Sequence, residues 1–255
     1  MLELPGGLAA SLTGRLLAQE GWAVTKVVEG PGSPAPPEAG EYAAVAPALW
    51  AYLDEGKEIR ALDRAGDSID AAAAGDEPYE LVICQLATGA SHAPERYASV
   101  TGSRTVTVAI SPFGLTGAYR TWQATEIVRA AMGGWLCALG DPGREPLRPP
   151  GHQSEVMAAL CAVMSAVPAV LHARRGAPGE TIDLSIRDAV VWFQMNPTTL
   201  YEYSGSLRGR PGAESDVNYP QGIMPCRDGQ VGVNVMYYVE WFRFCDLLGE
   251  AAWKV

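Results

Sequence analysis

Apolar and polar positions along the chain change their period several times, and each change marks a predicted element. A short apolar run from Leu2 to Leu4 leads into a turn with Gly6 and Gly7. Apolar positions then recur as on a helix face from about Ala10 to Gln19, and a second apolar run lies near 23–29. This opening reads as strand, helix, strand, the βαβ unit of a parallel sheet. Pro31, Pro34, Pro36 and Pro37 stop any regular element between Gly30 and Gly40. A helical pattern near 42–54 leads into EGKEIRALD, a turn and short strand. ELVICQL at 80–86 and TVTVAIS at 105–111 are continuous β-branched and apolar stretches, as buried parallel strands require.

The second half continues the α/β pattern. A helical period over 122–139 carries Ile127, Val128, Ala131 and Met132 and ends in the turn-rich DPGREPLRPPG. From about Ser154 to Ala173 nearly every position is small or apolar, which predicts a long helix buried on most sides. GAPGE then forms a turn, TIDLS a strand and 186–196 a helix. In GIMPCRDGQVGVNVM the alternation of Val231, Val233 and Val235 predicts a hairpin turning at Asp228 and Gly229.

Composition narrows the function. With 48% hydrophobic and 19% charged residues, the chain buries a substantial core. A net charge of −10 and a pI of about 4.8 oppose binding to nucleic acid or acidic membrane surfaces. The start MLELPGGLAASLTGR lacks a basic leader, and no apolar run reads as long enough to span a bilayer, so a cytoplasmic location is expected. Cys84, Cys137, Cys161, Cys226 and Cys245 are widely spaced without a CxxC pair, which opposes a disulfide framework or zinc site, and most of them read as small core residues. His92, His152 and His172 have no metal-ligand spacing, and His172 reads as a helix-end residue, so no metal site is expected.

The turn PGGLAAS fits two roles. Glycines at a helix start let backbone N–H groups approach a phosphate, but the full GxGxxG spacing is absent, and a plain tight βα turn has the same residues. Walker, GxSxG and HExxH patterns are missing. ISPFGLTGAYR, ATEIVRAAMGG, PLR and GETIDLSIRDA follow one another through residues 110–189. Together these resemble, in order and separation, the landmarks of the family III CoA-transferases. LELPGGLAASLTGRLLAQEGWAVTKVVE and EGKEIRALD upstream, and MPCRDGQVGVNV with Trp241 and LLG downstream, extend the resemblance over nearly the whole chain.

The resemblance implies a doubly wound, mostly parallel α/β sheet with helices on both faces, plus part of a smaller second domain. The expected division is 1–203 for the large domain and 204–255 for a linker and incomplete small domain. It implies interlocked dimers, or a partner chain supplying the C-terminal part that the family fold places beyond Val255. The implied activity is movement of CoA between carboxylic acids, with acyl-CoA and a small acid as substrates and no tightly bound cofactor. In that chemistry a carboxylate attacks the thioester and forms a covalent intermediate. The family's aspartate falls a few residues past Pro-Leu-Arg; counting from Leu147 and Arg148 through PPGHQS reaches Glu155, one methylene longer.

Glu155 also fits a second role, as a first-turn acid favoured by the helix dipole after a Ser154 cap. Glu126 matches an acidic family position and has catalytic and packing readings; Asp183 and Asp188 read as structural. Gly7, Leu8 and Ala9 match the turn that approaches CoA. The basic or aromatic element expected after the third strand is replaced by Cys84, Gln85, Leu86 and Ala87, leaving Arg96 and Lys57 as substitute phosphate contacts. Two rival functions remain: a non-catalytic acyl-CoA-binding or partner subunit, and 2-methylacyl-CoA racemisation. The second is disfavoured because Ala124, Thr125 and Glu126 stand where that branch has Gly-His-Asp.

Overall fold

The computed structural model describes residues 1–29, 46–62, 78–92, 98–207, 209, 210, 212 and 220–254. The Pro-rich loop, the start of the helical pattern at 42–45 and Arg96 lie outside the described residues. Two compact units form: Met1–Gly133 with Pro150–Phe193, and Gly134–Pro149 with Gln194–Val255. In this division the first unit runs to Phe193, and the segment 134–149 groups with the C-terminal residues.

The first unit contains β1 (Leu2–Glu3), α1 (Leu8–Gln19), β2 (Thr25–Glu29), α2 (Ala46–Asp54), β3 (Glu58–Leu62), β4 (Tyr79–Gln85), β5 (Thr101–Ser111), α3 (Glu126–Met132), α4 (Gln153–Arg174), β6 (Thr181–Ser185) and α5 (Ile186–Phe193). Its six strands lie in the order β3-β2-β1-β4-β5-β6, every neighbouring pair parallel. This is the doubly wound arrangement expected, and the strand order reverses direction between β1 and β4.

Alternation along β4 separates two hydrophobic layers, because successive side chains leave opposite faces of a strand. Leu81 and Ile83 join Val106, Val108 and Ile110 of β5 against α1, α4 and α5. Val82 and Cys84 point the other way, with Leu2, Val27, Leu62 and Ala109, where Val100 and Leu115 close the layer. Among the described residues, that second layer is built by strands, loops and the 3-10 turn at 98–100 that holds Val100.

Helix α4 lies close over the sheet because its inward row is small: Ala158, Ala162 and Ala166 are 0% exposed. By length and composition alone, α4 is long and apolar enough to cross a membrane, against the expectation that no run reaches that length. Its buried row packs in the core of this unit.

Two helix predictions change. The helix expected over 122–139 is reduced to α3 and a single 3-10 turn at Leu136–Ala138, because Gly134 takes a φ of 82° and breaks the helix between them. The helix expected over 186–196 ends at Phe193. Cys84 and Cys245 are buried as expected, whereas Cys137 and Cys226 are exposed.

The second unit holds α6 (Met195–Ser204), the antiparallel hairpin β7 (Gln221–Cys226) and β8 (Gly229–Asn234), and α7 (Tyr238–Leu248). Glu240 accepts from Met236 N at 2.8 Å and Tyr237 N at 3.3 Å, which closes the start of α7. Gly249, at φ 75°, ends it.

Candidate active site

At the carboxyl ends of β1 and β4, where the strand order reverses, connecting loops leave in opposite directions and open a crevice. A cavity of about 510 Å³ lies there, lined among others by Gly7, Leu8, Gln85, Arg129, His152 and Glu155. That volume suits a small-molecule ligand. All of these residues belong to the first unit.

Glu155 reaches the cavity from the first turn of α4 and is 8% exposed. Its Oε2 accepts from Ala9 N at 3.0 Å and from Gln85 Nε2 at 3.2 Å. Its Oε1 lies 2.9 Å from Arg129 Nη2. Taking a carboxylate out of water costs several kcal/mol unless donors replace the lost hydration. Here a guanidinium, a backbone amide and a side-chain amide do so. The N-termini of α1 and α4 add favourable partial charge, because Ala9 and Glu155 both occupy first turns.

Gln85 links this carboxylate to the first βα turn. Its Oε1 accepts from Ala10 N at 3.0 Å while its Nε2 donates to Glu155. Two orphan amides of α1 are thereby satisfied by side chains from β4 and α4. Of the turn residues expected to approach CoA, Gly7 and Leu8 line the cavity, but the Ala9 N–H is already held by Glu155.

Glu126 sits behind this group and is 1% exposed. Its Oε1 accepts from Ser154 N at 2.7 Å, its Oε2 from Ser154 Oγ, and its Oε2 lies 3.4 Å from Arg129 Nη2. Ser154 is therefore not the helix cap expected: its hydroxyl donates to Glu126, and His152 occupies the cap position without a side-chain hydrogen bond to the helix. Glu126 fixes the start of α4 and helps orient Arg129.

The other candidates separate from the cavity. Lys57 is not a phosphate contact. Its ammonium is fully buried, 2.6 Å from Glu3 Oε2 and 2.8 Å from Ser11 O, in a cluster completed by Lys26 and Asp54. Burial pushes the Lys57 ammonium below its ordinary pKa, while the Glu3 carboxylate opposes that shift. Asp183 accepts from Leu115 N at 3.0 Å and holds the loop after β5, and Asp188 pairs with Arg187 at 2.7 Å, as structural readings require.

Gln85 and Arg129 are the two residues the sequence reading left without a role. Arg129 carried one signal, a lone guanidinium inside the apolar run EIVRAAM. Gln85 had only its place in the segment where the resemblance expects a CoA-contacting element, and its bridging role rests on two long-range contacts.

Residues 101–255 match the sequence pattern of CoA-transferase family III. A probable CoA-transferase of Mycobacterium tuberculosis is 32% identical over 98% of this chain and 33% of its own length. A succinyl-CoA:(R)-benzylsuccinate CoA-transferase subunit of Thauera aromatica is 25% identical over 60% of this chain and 38% of its own. A succinyl-CoA–D-citramalate CoA-transferase of Chloroflexus aurantiacus is 28% identical over 92% of this chain and 60% of its own. The chain thus spans about a third of the length of the first two relatives. A CaiB/BaiF family protein from Brucella suis superposes with a TM-score of 0.77 at 21% identity, over 98% of this chain and 68% of that one, a likeness in fold.

Proposed function

The chain belongs to CoA-transferase family III, and from that premise we propose that it moves CoA from an acyl-CoA to a carboxylic acid with Glu155 as the covalent acceptor. The observation that carries this reading is a buried carboxylate on the wall of the cavity, held by Ala9 N–H, Gln85 and Arg129.

In the proposed reaction a Glu155 oxygen attacks the thioester carbonyl carbon and expels CoA thiolate, leaving a mixed anhydride. The thiolate attacks the Glu155 carboxyl carbon of that anhydride, releasing the donor acid as its carboxylate and forming a glutamyl-CoA thioester. The acceptor carboxylate attacks this thioester and again expels thiolate, which then takes the acceptor's acyl group and restores Glu155. Splitting the exchange in this way replaces one difficult displacement by several easier ones. The Ala9 N–H, 3.0 Å from Oε2, is placed to hold the oxyanion that develops when Glu155 itself is attacked.

A second reading, acyl-CoA binding without chemistry, is favoured by the same geometry, since both Glu155 oxygens already have donors. Intact-mass measurement after incubation with a panel of acyl-CoA thioesters distinguishes the two. CoA transfer predicts a hydroxylamine-sensitive adduct that disappears in Glu155→Gln. Retained CoA binding with no adduct supports the binding subunit, and a full-level adduct in Glu155→Gln moves the chemistry to another residue. As partners we propose a second copy or a companion chain, a reading supported by relatives named as subunits; light scattering of the purified chain tests it.

A further inference from the structure

Arg129 has donors that its resting contacts do not use. It is 5% exposed, lines the cavity, and both of its ion pairs run through one nitrogen, Nη2. Its Nε is buried and has no hydrogen-bond partner among the described residues. A guanidinium carries five N–H donors in a fork that matches a carboxylate, so a buried one engaged through a single nitrogen has unspent capacity.

The two carboxylates beside it are not equally dependent on it. Glu126 is also held by Ser154 N and Ser154 Oγ, and its distance to Nη2 is the longer, 3.4 Å. Oε2 of Glu155 has Ala9 N and Gln85, whereas for Oε1 the structure gives Arg129. The exchangeable contact is therefore the one between Arg129 and Oε1 of Glu155.

Resting on the CoA-transfer reading of this site, we propose that Arg129 is the specificity-determining residue that receives the carboxylate of the acceptor acid, taking it in place of Glu155 once Glu155 is esterified to CoA. As a thioester Glu155 has lost its negative charge, and Arg129 has lost its nearer carboxylate and keeps only Glu126 at 3.4 Å. An acceptor carboxylate restores the pair, so the number of carboxylates facing the guanidinium is the same before and during the exchange. One acceptor oxygen then attacks the adjacent Glu155 carbonyl carbon, the C–S bond breaks, and CoA leaves as thiolate. Neutral acids or amides of the same shape gain nothing from Arg129.

Glu155→Gln reproduces the uncharged state without any turnover. Acetate titrated into this variant at constant ionic strength, followed by calorimetry and by the Arg129 Nε–H resonance, is expected to bind at least tenfold more tightly than to wild type and to shift that resonance. Acetamide is expected to do neither. Arg129→Gln/Glu155→Gln removes one charge of each sign, keeps the local net charge, and is expected to lose acetate binding. Equal acetate binding by the single and double variants, or an unmoved Arg129 resonance in Glu155→Gln, overturns the proposal. The resonance decides even where the double variant does not fold. Failure of the CoA-transfer reading registers separately, as absence of an acyl-CoA adduct on the wild-type chain.

Discussion

A Cβ built on Gly7 would fall 2.3 Å from Nε2 of Gln85, so the bare backbone of the first βα turn is what lets the glutamine lie between α1 and Glu155. Gly7 has φ −94°, which any residue adopts, so its requirement is one of space alone. The displaced atom is the end of a flexible side chain, and Gly7→Ala should therefore fold with little loss of stability. The alanine pushes the amide off both Ala10 N and Glu155. Acyl-CoA adduct formation should fall roughly tenfold to a hundredfold, as expected for a displaced catalytic group, with the thermal midpoint nearly unchanged. An unaffected adduct rate counts against a role for Gln85.

Glu155→Asp restores the residue type expected in the family, yet it should impair this chain. The shorter side chain cannot keep Ala9 N at 3.0 Å and Arg129 Nη2 at 2.9 Å together. Single-turnover adduct formation should drop on the order of a hundredfold. A rate equal to or above wild type would falsify the view that Gln85 and Arg129 have adapted the site to the longer acid.

The Glu3–Lys57 pair, at 2.6 Å and almost fully buried, makes a stability prediction. Removing Lys57 leaves Lys26 alone against two carboxylates, Glu3 and Asp54, so Lys57→Met should cost up to about 3–5 kcal/mol in urea unfolding. Gly14→Ala should destabilise through the same group, because its Cβ would meet Glu3 Oε2 at 2.3 Å. Loss of acyl-CoA binding by Lys57→Met without loss of stability would return Lys57 to the phosphate role.

Arg174 at the end of α4 is paired through two nitrogens with Glu80 of β4, each contact 2.7 Å. The hydrogen bond from Arg174 holds the Glu80 carboxyl below its ordinary 4.5. A carboxyl lowered in the folded state contributes stability that is present above 4.5 and lost as pH falls through the lowered value. The stability difference between wild type and Arg174→Gln should thus be constant near neutral pH and vanish in acid. Both groups are solvent-exposed, so the difference should be small and should shrink further in salt. Paired unfolding curves at neutral and acid pH measure it.

The strands were legible because β-branched runs such as TVTVAIS have few other uses, and the position of Glu155 because the family resemblance expects a carboxylate a short count past Arg148. What stayed hidden depends on distance along the chain. Ala9 and Glu155 are 146 residues apart, and Gln85 and Glu155 are 70 apart. No local pattern distinguishes a glutamine that will bridge two helix starts from one at the end of a strand. Lys57 misled for a related reason. In GKEIR it looks like an ordinary surface cation, and only the register of β3 beside β2, which brings it near Glu3 of β1, buries it. Arg129 is a charge inside an apolar helical run, but nothing local assigns it a role, because its partner Glu155 lies on a different helix.

The alanine row of α4 has a consequence for how the chain tolerates change in length. With Ala158, Ala162 and Ala166 seated against the sheet, the helix acts as a ruler whose zero mark is fixed by packing. A residue added in the loop between Arg148 and His152 alters only slack. A residue added between Glu155 and Ala158 turns the carboxylate about 100° around the helix axis, away from Ala9 and Arg129. Insertions a few positions apart should therefore differ completely in effect.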